Sequence, residues 1–329
     1  MVRKSVPGLG IRWTIGDVSE PGREVLRFSI LGAWKVFGPS ASYVVCVNSC
    51  DADGLRRSLG ELPQAVRWMQ VPAMNPAFLP FCDASLSEGT AWKFSPVRCF
   101  PDRHELALDN DVVLWRCPPA VRRWLSQPSA FLLGADVVPA NGSFSDLTGP
   151  VALNSGIRGF PPGFDYEARL LETLRQTGRT LRAELDEQGL QVAVMTSSGV
   201  CHVVSLEDVT ICSPFPPHVA YLGRCGAHFV GLNARSLPWN YYGRPATECR
   251  LEHWCLHRAP VGNLVTRRAR RTTVTRRPQR VGRARRKSSY GHTTAAASDH
   301  RHDVKASDGE HGDLSGQSSH GGHGGRTKV

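Results

Sequence analysis

The sequence predicts an α/β fold on three observations: an apolar strand followed at once by an amphipathic helix, a second short run that is apolar throughout, and a third that ends on an acidic triplet. The first strand is expected over residues 11–18. Ser19 then offers an N-cap and Pro21 suits a first helical turn, after which Leu26, Ile30, Ala33, Trp34 and Phe37 recur on one helical face. Residues 43–47, Tyr-Val-Val-Cys-Val, show no polar alternation and end at Asn48, which reads as a strand buried on both faces and therefore parallel to the first. A third strand is expected at 66–71, a helix around 91–100, and a strand over 105–108 that ends at Asp109. Further on, Tyr166, Leu170, Leu171 and Leu174 repeat at helical spacing behind Asp165 as N-cap, and strands are expected at 191–195 and 202–204. In open sheets of this class ligands bind beyond the carboxyl ends of the strands, so Asp17, Asn48 and Asp109 are expected to converge there.

With 329 residues and 41% apolar content the chain can bury a large core. Its formal charge of +11 invites a nucleic-acid reading until it is divided by position. Residues 1–260 hold 25 Lys/Arg against 24 Asp/Glu, whereas 261–290 carry 11 basic side chains and no acidic one. The excess charge is thus a property of the tail. The expected organisation is a domain over 1–262 followed by a disordered tail over 263–329, first Arg-rich and then rich in Gly, Ser and His, because that stretch has too few large apolar side chains to offset its ordering entropy. Ten cysteines are scattered without a CxxC pair, which fits a reducing compartment. Cys249 and Cys255 with His253 and His257 offer zinc-ligand atoms, but in a spacing that matches no standard site, so isolated buried cysteines stand as the other reading. No stretch resembles a signal peptide or a membrane span, and a cytoplasmic location is expected.

The chemistry centres on the run Asp109-Asn-Asp-Val-Val-Leu114. Two carboxylates two residues apart at a strand end can both turn toward the crevice, where hard oxygen ligands suit Mg²⁺ or Mn²⁺. A cation held there would neutralise a departing diphosphate. Taken alone, the triplet reads more readily as a solvated turn closing a strand.

Around it lies an ordered set of blocks. AWKFSPVRCFPDRHELALDND carries Lys93, Asp109 and Asp111; LNSGIRGFPPGFD carries Asn154, Ser155 and Gly156; Asp186-Glu-Gln-Gly-Leu-Gln191 is an acidic and amide cluster; and His228-Phe-Val-Gly231 precedes Leu237-Pro-Trp239. In this order the blocks resemble the glycogenin-like retaining glycosyltransferases. The resemblance covers roughly residues 10–240 and implies a GT-A type, Rossmann-like mixed sheet flanked by helices. It further implies metal ligation by Asp109, Asp111 and His228, and phosphate or sugar contact by Lys93. Asn154 and the turn at Ser155 and Gly156 would hold sugar hydroxyls, and Asp186 and Glu187 would lie beside the anomeric carbon. Thr14, Asp17, Gln188, Gly231 and Arg235 complete the implied contacts to a nucleotide-diphosphate sugar, with UDP as carrier. The chain departs from the pattern at Leu237, where the family has Lys, with Arg235 two residues earlier as a substitute charge, and at Glu187, where the family has Gln. A carboxylate there would be a better nucleophile.

The resemblance implies a glycan or lipid-linked acceptor and transfer with retention. A non-catalytic sugar-nucleotide binder is the alternative that Leu237 and the altered cluster motivate. A third reading is a nucleic-acid-associated protein acting through the basic run 267–287, which suits any polyanion, including an anionic membrane face, and lacks the aromatics that base stacking needs. The aromatic segment 239–244 serves either as a face for sugar rings or as a packed turn. Asp111→Asn is expected to abolish transfer and leave the fold intact, on the premise that a strand-end ligand lies at the surface.

Overall fold

The computed structural model describes residues 8–83 and 91–266. The first strand, β1 (Leu9–Ile15), is followed by α1 (Glu20–Phe37), β2 (Ser42–Val47), α2 (Ala52–Ser58) and β3 (Val66–Gln70). The cap expected at Ser19 is present: its Oγ accepts from Gly22 N at 3.0 Å and donates to Leu232 O at 2.6 Å. These strands pair in parallel, so each helix is a crossover, and β4 (His104–Asp109) joins β1 on its other edge. After β5 (Val112–Leu114) and α3 (Pro119–Leu125), β6 (Phe131–Ala135), β7 (Leu153–Phe160) and β8 (Cys201–Val204) complete a seven-stranded sheet in the order β3-β2-β1-β4-β7-β6-β8. Only β7 runs antiparallel to its neighbours, which makes the sheet mixed. Two further helices, α4 (Tyr166–Thr177) and α5 (Glu184–Ser197), follow β7.

Alternation along the strands sorts the side chains into two cores. Leu9, Ile11, Trp13 and Ile15 of β1 and Leu106 and Leu108 of β4 pack with Leu26, Ile30, Ala33 and Phe37 of α1. Ala107 and Leu133 face the other way, toward Leu170 and Leu174 of α4 and Leu190 and Val194 of α5. The result is an α/β fold with helices on both faces of a mixed sheet, as the sequence predicts. A small second sheet, β5-β10-β9, is formed with β9 (Val209–Ile211) and β10 (Gly226–His228). A hairpin of β11 (Asn240–Tyr241) and β12 (Arg244–Pro245) leads into the last helix, α6 (Ala246–Thr266), which packs Trp254, Val261 and Val265 with Val25 and Phe28 of α1. None of the described helices is long and apolar enough to cross a membrane.

Three expectations are corrected. Of the helix expected at 91–100, only a short 3-10 turn, Trp92–Phe94, follows Ala91, because Pro96 has no N–H to give a helical hydrogen bond and its ring crowds the preceding turn. Residues 191–195 belong to α5 and are not a strand. Every side chain from Asp186 to Met195 is buried, so the one-sided apolar pattern that tells helix from strand is missing. The Asn154–Gly156 segment is not a free turn but the interior of β7, at a register shift opposite Leu133 and Gly134. α6 runs through Thr266, past the domain boundary expected at 262, and the basic run 267–287 with the rest of the tail lies outside the described residues.

Candidate active site

β1 is the point where the strand order reverses: β2 lies on one side, β4 on the other. A crevice opens at such a place past the carboxyl ends. Register puts Thr14 of β1 directly beside Asp109, the last residue of β4. The chain then turns through Asn110 and Asp111 into β5, whose antiparallel partner β10 sets His228 opposite Val112. That pairing brings an imidazole from more than a hundred residues away to the triplet. His228 Nε2 lies 3.2 Å from Asp111 Oδ1, and Phe229 N donates to Asp111 O at 2.9 Å.

Asp109, Asp111 and His228 each offer one ligand atom, and the three atoms lie within 4.8 Å of one another. Two carboxylate oxygens and an imidazole nitrogen suit Mn²⁺ or another hard to borderline divalent ion. Asp111 Oδ1 is buried, and apart from His228 Nε2 at 3.2 Å no hydrogen-bond donor meets it. A polar oxygen in that state is costly unless a cation faces it. Gly156 explains how β7 comes so close, since a Cβ there would stand 2.5 Å from His228 Cε1.

Behind the triplet lies a charge network. Lys93 Nζ is 2.9 Å from Asp109 Oδ2 and 3.0 Å from Glu187 Oε2. Arg158, on β7, reaches Asp109 Oδ1 at 3.2 Å and Glu187 Oε1 at 3.8 Å. Gln191 donates to Glu187 and accepts from Tyr166 OH at 3.1 Å. Burial opposes the Lys93 charge, but Asp109 and Glu187 outweigh it and hold the ammonium above its ordinary pKa. Burial likewise opposes the Asp109 charge, and Lys93 and Arg158 prevail, keeping that carboxyl well below the usual range. For Glu187 burial wins, and Lys93 and Arg158 offset it only in part, so its pKa is raised. At His228 the contact with Asp111 overcomes burial and raises the imidazole.

Lys93 itself is held from below. Arg12, buried at the centre of β1, donates to Lys93 O at 3.1 Å and Pro96 O at 2.8 Å, and its charge is met by Glu105 at 3.0 Å. Glu105 in turn accepts from Cys99 N and Phe100 N. An irregular segment is thereby fixed by a buried ion pair.

In this structure the other expected residues are placed as follows. Asp186 does not face Asp109. Its oxygens accept from the backbone N–H groups of Ser143, Arg182 and Ala183 at 2.7–3.0 Å, so it caps α5. Gln188 accepts from Ser155 N and donates to Ala140 O, while Asn154 accepts from Gly156 N and donates to Asp136. Both amide N–H groups of residues 155–156 are therefore used within the protein. Gly231 sits at φ +76° in the turn after β10, and Arg235 pairs with Asp17 just past β1. Leu237 donates its N–H to Thr247 Oγ1 and brings no charge. Asp111 is buried at 3% exposure, which corrects the premise that this ligand lies at the surface.

No family model matches this chain, and no curated protein matches it in sequence. Among solved structures it is similar to the galactosyltransferase LgtC in complex with donor and acceptor sugar analogues, at 14% identity and a TM-score of 0.46 over 79% of this chain and 98% of that one. Mouse xyloside xylosyltransferase 1 in its apo form is 12% identical, with a TM-score of 0.42 over 63% of this chain and 88% of that one. Likeness at this level leaves the site to be read from its own residues.

Sequence reasoning missed several of those residues. Asn233 exchanges amide hydrogen bonds with Asn110, at 2.6 and 3.0 Å, and donates to Asp111 Oδ2 at 3.0 Å, so it orients the triplet. Arg158 is a second. A lone arginine in the otherwise small and apolar LNSGIRGF run was its signal. Asn233 carries no comparable mark.

Proposed function

We propose that this chain is a GT-A type, metal-dependent glycosyltransferase that moves a hexosyl unit from a nucleotide-diphosphate sugar, with UDP as the carrier, to a glycan or lipid-linked acceptor with retention. The observation that carries the reading is the meeting of Asp109, Asp111 and His228 at the carboxyl edge of the sheet, where the strand order reverses. Its transferase unit runs through the end of α6 at Thr266 rather than stopping at 262, with the 267–287 run as a contact for an anionic membrane face.

Charge balance supports a diphosphate. Asp109, Asp111 and Glu187 outnumber the permanent cations Lys93 and Arg158 by one. A bound Mn²⁺ reverses that balance and supplies Lewis-acid stabilisation of the leaving diphosphate. Lys93 is 19% exposed and sits at the boundary between the cleft and the buried Glu187, so it is the side chain placed to donate to a phosphate oxygen. Arg235, paired with Asp17, provides the charge that Leu237 does not. Glu187, rather than Asp186, is the carboxylate on the reacting side, because Asp186 is fully engaged as a cap.

The test is incubation of the full chain with a panel of nucleotide sugars and Mn²⁺, followed by measurement of nucleoside diphosphate release. Turnover with at least one donor, abolished by a chelator, is the expected result. Folded protein that releases nothing from any donor with either Mn²⁺ or Mg²⁺ would sink the proposal. One observation favours the second reading, a non-catalytic sugar-nucleotide binder: Glu187 is only 2% exposed and held by Lys93, Arg158 and Gln191. Calorimetry distinguishes the two, since such a binder would take up UDP without turnover.

A further inference from the structure

The two histidines His253 and His257 stand four residues apart on α6 and so project from one face of the helix. Their rings are 4.5 Å apart between centroids. The sequence offers Cys249 and Cys255 as companions, but the fold supplies a different thiol. Cys212, the residue after β9, lies with its Sγ 3.9 Å from His253 Nε2, and the ligand atoms of Cys212, His253 and His257 fall within 4.8 Å of one another. Two ligand atoms on a tetrahedral zinc, with Zn–S near 2.3 Å and Zn–N near 2.0 Å, stand about 3.6 Å apart. The observed spacing is thus within a small adjustment of a zinc-bound one.

We propose that Cys212, His253 and His257 form a zinc site, separate from the Asp109–Asp111–His228 centre, that fastens α6 to the small sheet. One thiolate with two imidazoles is a soft and borderline donor set. It selects zinc over the Mg²⁺ or Mn²⁺ that a carboxylate-rich centre takes. Cys212 and His253 are buried at 1% and 7% exposure, whereas His257 is partly open, which gives an ion one side of entry. The Ala220 carbonyl, 3.0 Å from His257 Nε2, orients that ring. Three protein ligands leave a fourth position for water. On binding, the Cys212 Sγ–H bond is replaced by Sγ–Zn and the proton leaves to solvent.

The position of the site says what it would do. Cys212 N donates to His228 O at 2.7 Å, and Ile211 pairs with His228 in register. Next to His253 on α6, Trp254 packs edge-on against Phe229 and donates to Glu24 at 2.7 Å. A zinc there would cross-link the final helix to the strand next to the one that carries a ligand of the catalytic cation.

The experiment uses the full chain, dialysed against a weak chelator, with bound zinc counted by elemental analysis and cobalt(II) then substituted as a spectroscopic probe. The expected result is a single retained zinc and, with cobalt, a near-ultraviolet thiolate-to-metal absorption. Both should be lost in Cys212→Ser and weakened at least tenfold in affinity in His257→Gln, and both should persist in Cys249→Ser. His257→Gln alters a partly exposed helix position, so it tests the site even where Cys212→Ser does not fold. The six tail histidines can hold metal, but no cysteine lies beyond Cys255, so metal bound there gives no thiolate absorption. A cobalt thiolate band retained by Cys212→Ser, a cobalt affinity unchanged in His257→Gln, or a folded wild-type chain that takes up neither ion would each overturn the proposal.

Discussion

The two sides of the crevice are built on opposite principles. On the β5–β10 side, Asp109, Asp111 and His228 turn ligand atoms toward a common point, and Asp111 Oδ1 is met by His228 alone. On the β7–α5 side, Glu187 is 2% exposed and its oxygens are met by Lys93, Arg158 and Gln191. One side stores an unmet demand for positive charge, and the other has already met it internally. Asp109 belongs to both, since Lys93 and Arg158 hold it ionised without a cation. The difference teaches that substitutions on the first side should cost chemistry, and those on the second should cost stability as well.

The largest effect is expected from Arg158→Leu. It removes one of the two cations that neutralise Glu187 and Asp109 in a buried setting, and leaving a buried charge unpaired costs about 3–5 kcal/mol. A thermal melt of the full chain measures this. A melting temperature equal to that of the wild type would break the comparison, because the paired side would then not be holding the fold. Next is Asp111→Asn, which keeps the size of the side chain and its contact with Asn233 while removing a ligand charge. Turnover should fall on the order of 10²–10³-fold, as when one preorganised transition-state contact is lost. Mn²⁺ binding by calorimetry should vanish and the melt should move far less than for Arg158→Leu. Equal destabilisation in the two variants would erase the distinction between the sides.

The same division explains what was legible in the sequence. Much of the β1–β4 half follows from local patterning: β1, β2 and β4 are short apolar runs, α1 has one apolar face and the Ser19 cap, and carboxyl ends are marked by polar residues such as Asn48 and Asp109, whereas the seven-residue α2 was not read and the helix expected at 91–100 is absent. The meeting of Asp109, Asp111 and His228 was accessible too, but only because the resemblance tied His228 to the two acids. Nothing local announces an antiparallel β5–β10 pairing. In the β7–α5 half, α4 was legible from its apolar spacing and its Asp165 cap, but α5 was not, and burial is the cause. α5 has no exposed face over residues 186–195, so its period was hidden, and Asp186 and Glu187 are adjacent acids whose separate fates depend on which one reaches the backbone N–H groups at 143, 182 and 183. Arg158 and Asn233 act only across 29 and more residues of chain, through partners that the fold supplies.

Asn233→Ala sharpens the comparison from the ligand side. Asn233 touches no ligand position directly except through Asp111 Oδ2, and it fixes Asn110 by a reciprocal amide pair. Loss of such an orienting partner typically weakens metal binding about 10–100-fold. Calorimetry with Mn²⁺ should show that loss while Asn233→Asp, which can still accept from Asn110 but cannot donate to Asp111, does no better than alanine. Restoration by Asp would mean that the side chain acts as a ligand itself.

The smallest effect separates the two neighbouring acids. Asp186 accepts three backbone N–H groups at the start of α5 and is held ionised by them against the cost of burial, so Asp186→Ala removes a helix cap, worth about 0.5–2 kcal/mol, and nothing from the crevice. The melt should fall by that amount and the KM and kcat of the folded variant should stay within twofold of wild type at a temperature well below the transition. Glu187→Gln is the matched control, because it removes the buried charge facing Lys93 and keeps the shape. If Asp186→Ala lowered kcat as far as Glu187→Gln does, the cap would be part of the reacting centre and the β7–α5 side would have to be read as a site with two acids.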